Sequence, residues 1–151
     1  WNDIVSNVPI VSVDLVVHTP NGVVLGKRTN EPANGEWFVP GGRIRKREGL
    51  TDAVDRLAAE ELGVEDVRVR ESLGAYEHIY DTGGVDGSSK HYLASGFVVD
   101  TDSTVDEMTL DEQHSAVRAF TPAEFPADLH EYTAAYLRDA ASITYPTEEQ
   151  L

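Results

Sequence analysis

The segment G-R-I-R-K-R-E-G-L-T-D-A-V-D-R-L-A-A-E-E-L-G-V, residues 42 to 64, decides how this chain is read. Its second half has helical period. Ala53, Val54, Leu57, Ala58 and Leu62 form one apolar stripe, Thr51 stands where an N-cap belongs, and Gly63 is a C-terminal stop. Together they predict a helix over 51–62. Taken alone, R-L-A-A-E-E-L-G is an ordinary amphipathic helix with a wet acidic face. The spacing upstream changes that. Five residues separate Gly42 from Glu48, seven separate Glu48 from Arg56, and Glu60, Glu61, Gly63 and Val64 follow at fixed distances.

Outward from this segment, the chain reads as alternating β and α elements. Residues 8–18 (VPIVSVDLVVH) are Val/Ile-rich and predict a strand, Pro20-Asn21-Gly22 a turn, and 23–28 the returning strand of a hairpin. A short strand at 37–39 leads into Pro40-Gly41-Gly42, read as a sharp turn whose backbone can approach a ligand closely. Strands follow at 66–80 and 90–99, then a polar excursion at 101–114, a short strand at 116–120 and a last helix over 128–142. The expected fold class is α+β, with a mixed sheet in an α/β/α sandwich. At 151 residues the chain is expected to form a single domain over 1–151.

Composition narrows the partners. The chain has 27 acids against 12 bases, a formal net charge of −15, and only three lysines (27, 46 and 90). Such a surface repels nucleic acid. It suits an ordinary acidic bacterial protein or a halophilic cytosol, and the Asp-rich, Lys-poor balance favours the second. With no cysteine, disulfides and thiolate chemistry are excluded. No apolar run reaches transmembrane length and no signal-peptide pattern opens the chain, so a cytoplasmic protein without membrane partners is expected. Four bases fall within residues 43–47, inside the segment quoted above. A local reversal of charge like this would let an anionic ligand approach.

The spacing from Gly42 resembles the Nudix signature, G-x5-E-x7-R-E-U-x-E-E-x-G-U with U apolar, and implies the Nudix fold for the whole chain. Acids at such helical spacings gather on one side, where oxygen-rich clusters bind hard cations such as Mg²⁺ that bridge carboxylates to phosphates. Arg56 can hold an acid such as Glu48 by a charge-assisted pair. One position departs from the pattern: Leu57 stands where the signature has its first helical Glu. Fewer cations should then be held. Glu60 leaves two readings open, support of a second ion or a pair with Arg56 at i, i+4, and the spacing favours the pair.

Further stretches narrow the resemblance. PIVSVD (9–14), GKRTNEPANGEWFVPGGR (26–43), Arg56-Leu57, HYLASGF (91–97) and DEQH (111–114) resemble the GDP-mannose mannosyl hydrolases, a Nudix branch in which water attacks carbon rather than phosphorus. The resemblance implies Mg²⁺ (Mn²⁺ as the alternative) held by Glu61, Gln113 and a carbonyl of the turn at Gly41. It implies His114 as general base, Arg28 and Arg43 on the diphosphate, and Asp14 near the developing sugar cation. It further implies Tyr92 as a donor to the leaving group, Arg56 as organiser of the helix face, and His78 in the sugar pocket. The implied partners are a GDP-sugar and a second copy of the chain in a homodimer. The identity of the hexose, GDP-mannose or GDP-glucose, stays open. So do two other functions: a Nudix pyrophosphohydrolase cutting P–O bonds, and a nucleotide-sugar sensor without turnover.

Overall fold

The computed structural model describes residues 2–28, 35–81, 89–108, 114–127 and 129–141. The elements run α1 (Asn2–Asn7), β1 (Ile10–Thr19), β2 (Gly22–Arg28), β3 (Trp37–Phe38), β4 (Gly41–Arg43), α2 (Leu50–Leu62), β5 (Arg68–Tyr80), β6 (Lys90–Asp100), β7 (His114–Phe120) and α3 (Glu131–Ala141). Single 3-10 turns lie at Val105–Glu107 and Pro122–Glu124. The strands join in one seven-stranded mixed sheet. β1 and β6 run parallel, and the other pairings among the described residues are antiparallel.

Period-two alternation along β1 builds the sandwich. Val13, Leu15 and Val17 point to one face, where they meet Val54, Leu57, Ala58 and Leu62 of α2 together with Phe97 and Val99. Val16 points to the other, against Val98, Leu25, Phe120 and the α3 residues Tyr136, Leu137 and Ala140. One helix therefore covers each face, giving the α/β/α layering. No helix among the described residues is long and apolar enough to cross a membrane.

Several local expectations need correction. Thr51 does not cap α2: Gly49 occupies the N-cap, without a side-chain bond, and Thr51 lies inside the helix. Gly63 does end it, at φ 69°, with its N–H on the Ala59 carbonyl and that of Val64 on Ala58. Gly41 and Gly42 do not form a sharp turn. They lie in β4, paired with Asp14 and Val13 of β1. The reason they are glycines is close packing: a Cβ at Gly42 would lie 2.6 Å from Leu57 Cδ2, and one at Gly41 2.6 Å from the Val13 carbonyl oxygen. β5 begins at Arg68 rather than 66, β7 reaches back to His114, the last helix begins at Glu131 rather than 128, and α1 was not foreseen.

The cleft arises from how β1 shares its free edge. β2 pairs with β1 only at His18 and Thr19, next to the hairpin turn. Farther along, β4 takes over opposite Ser12–Asp14, while β2 turns to β3 and β7. Where the two strands part, the end of β2, β4 and the second half of α2 face β5 and β6 across a cavity of about 750 Å³.

Candidate active site

One wall of the cleft is the β4–α2 junction, organised by Arg56. Its Nε and Nη2 donate to the two oxygens of Glu48 at 2.7 and 2.9 Å, Nη1 to Glu60 at 3.0 Å, and Nη2 to the Arg43 carbonyl at 2.8 Å. A second donor, the Arg45 backbone N–H, also reaches Glu48. This bidentate pair with Arg56 pulls the Glu48 carboxyl down to about 2 and lifts the Arg56 guanidinium above its usual range. The connection between β4 and α2 is tight enough to put Arg47 at φ 69°, a left-handed backbone unusual for a side chain of that size.

The acids of α2 are divided. Glu60 has both oxygens engaged, Oε1 by Arg45 at 3.1 Å and Oε2 by Arg56. Glu61 lines the cleft, and its Oε2 is shielded from solvent with no hydrogen-bond partner among the described residues. Leu57 is 2% exposed and belongs to the core beneath Gly42. Among the described residues no three His, Asp or Glu side chains converge on a cation position. A lone, desolvated carboxylate oxygen nevertheless calls for a partner. That oxygen, on the cleft wall, has the chemistry to take a hard cation such as Mg²⁺.

Next to β4, on β1, the cleft holds a buried carboxylate. Asp14 accepts a 2.7 Å hydrogen bond from Tyr136 on α3, and His78 Nδ1 stands 3.9 Å from the same oxygen. Burial raises the Asp14 carboxyl from 3.8 to about 6, against the opposing pull of the Tyr136 hydroxyl and the Arg28 charge. His78 is 4% exposed and lies flat on Tyr132, with ring centroids 4.2 Å apart. Burial lowers it from 6.5 to about 4, helped by the nearby charge of His130, so it is neutral at physiological pH. Tyr92 faces His78 across the β5–β6 ladder, edge-on to Tyr80, with Lys90 Nζ 5.6 Å over its ring.

Charge in the cleft is inverted relative to the surface. Arg28, Arg43, Arg45, Lys46, Arg56 and Lys90 line it, six of the chain's 12 bases. Arg28 is the best placed for an anion: its Cζ stacks 5.5 Å over Phe38, and its buried Nε has no partner among the described residues. Of the site residues expected from sequence, Asp14, Arg28, Gly41, Arg43, Arg56, Glu61, His78 and Tyr92 all line this one cavity. Gln113 lies outside the described residues, as does the side chain of His114. The backbone of His114 opens β7 directly opposite Arg28. Sequence reasoning missed Tyr80 and Lys90 in the lining, and Tyr132 and Tyr136 behind it. The i, i+4 spacing of the last two was the available signal, but it reads equally as core.

The NUDIX domain model matches residues 8–140. The chain belongs to this family of hydrolases. Low-salt glycan biosynthesis protein Agl8 of Haloferax volcanii is 54% identical over 138 residues, covering 91% of this chain and 85% of that protein. An ADP-ribose pyrophosphatase of Methanocaldococcus jannaschii is 37% identical over 68 residues, 45% of this chain and 40% of that one. Among solved structures, a MutT NUDIX hydrolase from Burkholderia pseudomallei superposes with a TM-score of 0.68 at 26% identity, covering 90% of this chain and 98% of the other. The sandwich described above is the Nudix fold, and Nudix hydrolases generally use Mg²⁺ or Mn²⁺.

Proposed function

We propose that this Nudix domain hydrolyses a GDP-hexose, GDP-mannose or GDP-glucose, to GDP and the free sugar, by attack of water at the anomeric carbon with inversion. The observation that carries the reading is the division of carboxylates in the cleft. Glu48 and Glu60 are tied to arginines, Leu57 is core, and among the described residues the lining acids left to act are Glu61 on α2 and Asp14 on β1. That pattern suits a reaction needing one cation at the leaving diphosphate and one negative charge at the sugar. The relative named for low-salt glycan biosynthesis supports a sugar-nucleotide substrate.

In this mechanism Arg28 and Arg43 bind the diphosphate, Arg28 through the Nε that has no partner among the described residues. Glu61, Gln113 and a Gly41 carbonyl would hold Mg²⁺, which supplies charge neutralisation at the leaving group. His114 takes a proton from water as its oxygen bonds to the anomeric carbon. The bond from that carbon to the diphosphate oxygen breaks, and its electron pair departs with GDP. Asp14, ionised above about pH 6, faces the oxocarbenium character that develops. Tyr92 donates to the leaving oxygen, and neutral His78 borders the sugar. We take the chain to act as a single domain, in a cytoplasmic homodimer of a halophilic host.

A second reading, attack at phosphorus, is favoured by the partial likeness to an ADP-ribose pyrophosphatase. Hydrolysis in ¹⁸O water separates the two. Label in the sugar supports attack at carbon, and label in a phosphate product rejects it. Binding of GDP-mannose without turnover would instead point to a sensor.

A further inference from the structure

Asp14 has a glycine on each side of it across the sheet: Gly41 on β4 and Gly96 on β6. Each leaves a slot, and each slot is filled. A Cβ on Gly41 would collide with Asp14 Oδ1. A Cβ on Gly96 would lie 2.7 Å from Cε1 and 3.1 Å from Cδ1 of Tyr136. The first slot admits the carboxylate of Asp14 into the cleft wall. The second lets the phenol ring of Tyr136 come down from α3 onto the sheet.

Tyr136 is 1% exposed and is absent from the cleft lining, so substrate does not touch it. Phenylalanine would fill the same volume. A buried hydroxyl is costly unless it is bonded, and this one donates to Asp14 Oδ2 at 2.7 Å. The ring is held in turn. It lies against Tyr76, with ring centroids 4.4 Å apart and planes tilted by 52°; the Tyr76 hydroxyl donates to Asp139 one turn farther along α3, and Thr133 on the same helix donates to the Trp37 carbonyl. The phenol therefore reaches Asp14 from a helix pinned to strands on both sides. With Oδ2 committed to Tyr136, Oδ1 is the oxygen that lies against Gly41 in the cleft wall.

The geometry points to Tyr136 as a positioning residue for Asp14: its hydroxyl fixes one carboxylate oxygen so that the other keeps its place at the reacting carbon, and Gly96 makes the room it needs. This rests on the proposed reading that Asp14 faces the anomeric centre. Small displacements of a charge aimed at a transition state cost rate rather than binding.

The test is steady-state kinetics of the full chain, with GDP-mannose or GDP-glucose, for the wild type, Tyr136→Phe, Gly96→Ala and the double variant. Tyr136→Phe is expected to lower kcat by ~10–100-fold with KM within about threefold, while the thermal midpoint falls only by the several degrees, roughly, that one lost buried hydrogen bond costs. Gly96→Ala, by displacing the ring, should give a loss of the same kind. The double variant should be no worse than the poorer single one, because both act through one hydroxyl. A Tyr136→Phe enzyme with kcat within about twofold of the wild type overturns the assignment. So does a loss in which KM, kcat and the thermal midpoint all deteriorate together. Should one single variant fail to fold, the other decides by the same criteria. Release of GMP rather than GDP by the wild type is a separate result, and it removes the reading on which the assignment rests.

Discussion

Leu57 and Gly42 are fitted to each other: a Cβ added at Gly42 would come within 2.6 Å of Leu57 Cδ2. The residue that replaces a signature acid is therefore a core side chain closing the floor of the cleft. Restoring the acid should not restore a missing function. Leu57→Glu forfeits apolar burial and places a carboxylate beside Val13, Val54 and Ala58, so it should cost about 2–4 kcal/mol of stability. Urea denaturation measures this, and product analysis should still find GDP. A variant as stable as the wild type that releases GMP would contradict both statements.

Glu60 and Glu61 are neighbours in sequence with different surroundings, and their variants should separate. Glu61→Gln is expected to abolish Mg²⁺ dependence together with most activity. Glu60→Gln should keep the metal titration and lose at most ~1 kcal/mol, since Glu60 and Arg45 are exposed and Arg56 keeps its bidentate pair with Glu48. Activity titrated against Mg²⁺ in both variants checks this. Equal shifts of the two curves would reject the division of roles.

How much of this was legible beforehand depended on range. α2 and its end at Gly63 follow from local periodicity and a backbone conformation that glycine adopts freely, and both stand within a residue of expectation. The Glu60–Arg56 pair was visible from i, i+4 spacing, but the arrival of Arg45 on the same carboxylate depends on the path of a loop. Gly41–Gly42 misled because Pro-Gly-Gly has a local meaning, a turn, while the pairing of β4 with β1 is set by tertiary contact. Tyr136 was invisible as part of the site. On a helix stripe, a tyrosine that fills the core and one that also orients a carboxylate have the same pattern.

His114 is the residue to which the proposal gives proton transfer. His114→Gln preserves size and polarity but cannot act as a base near neutral pH. It should lower kcat by about 10²–10⁴ with little change in KM. Near-normal turnover in a rate assay at saturating GDP-sugar would remove it from that role.

Asp14 and His78 should give the fold opposing pH dependences that mask each other. Asp14 ionises near 3.8 when unfolded but at about 6 when folded, so stability falls as pH rises through that interval. His78 loses its proton near 6.5 when unfolded but at about 4 when folded, so stability rises with pH across nearly the same window. The wild type is then nearly flat as far as this pair is concerned, and each substitution exposes the other slope. Relative to the wild type, Asp14→Asn should gain about 1–3 kcal/mol between pH 4 and 7, with nothing gained below pH 4. His78→Phe, which keeps the stack on Tyr132, should lose a similar amount over the same range. Urea midpoints at pH 4 and pH 7, in EDTA, measure both differences. Variants displaced from the wild type by the same amount at both pH values would show that neither group titrates as its burial requires.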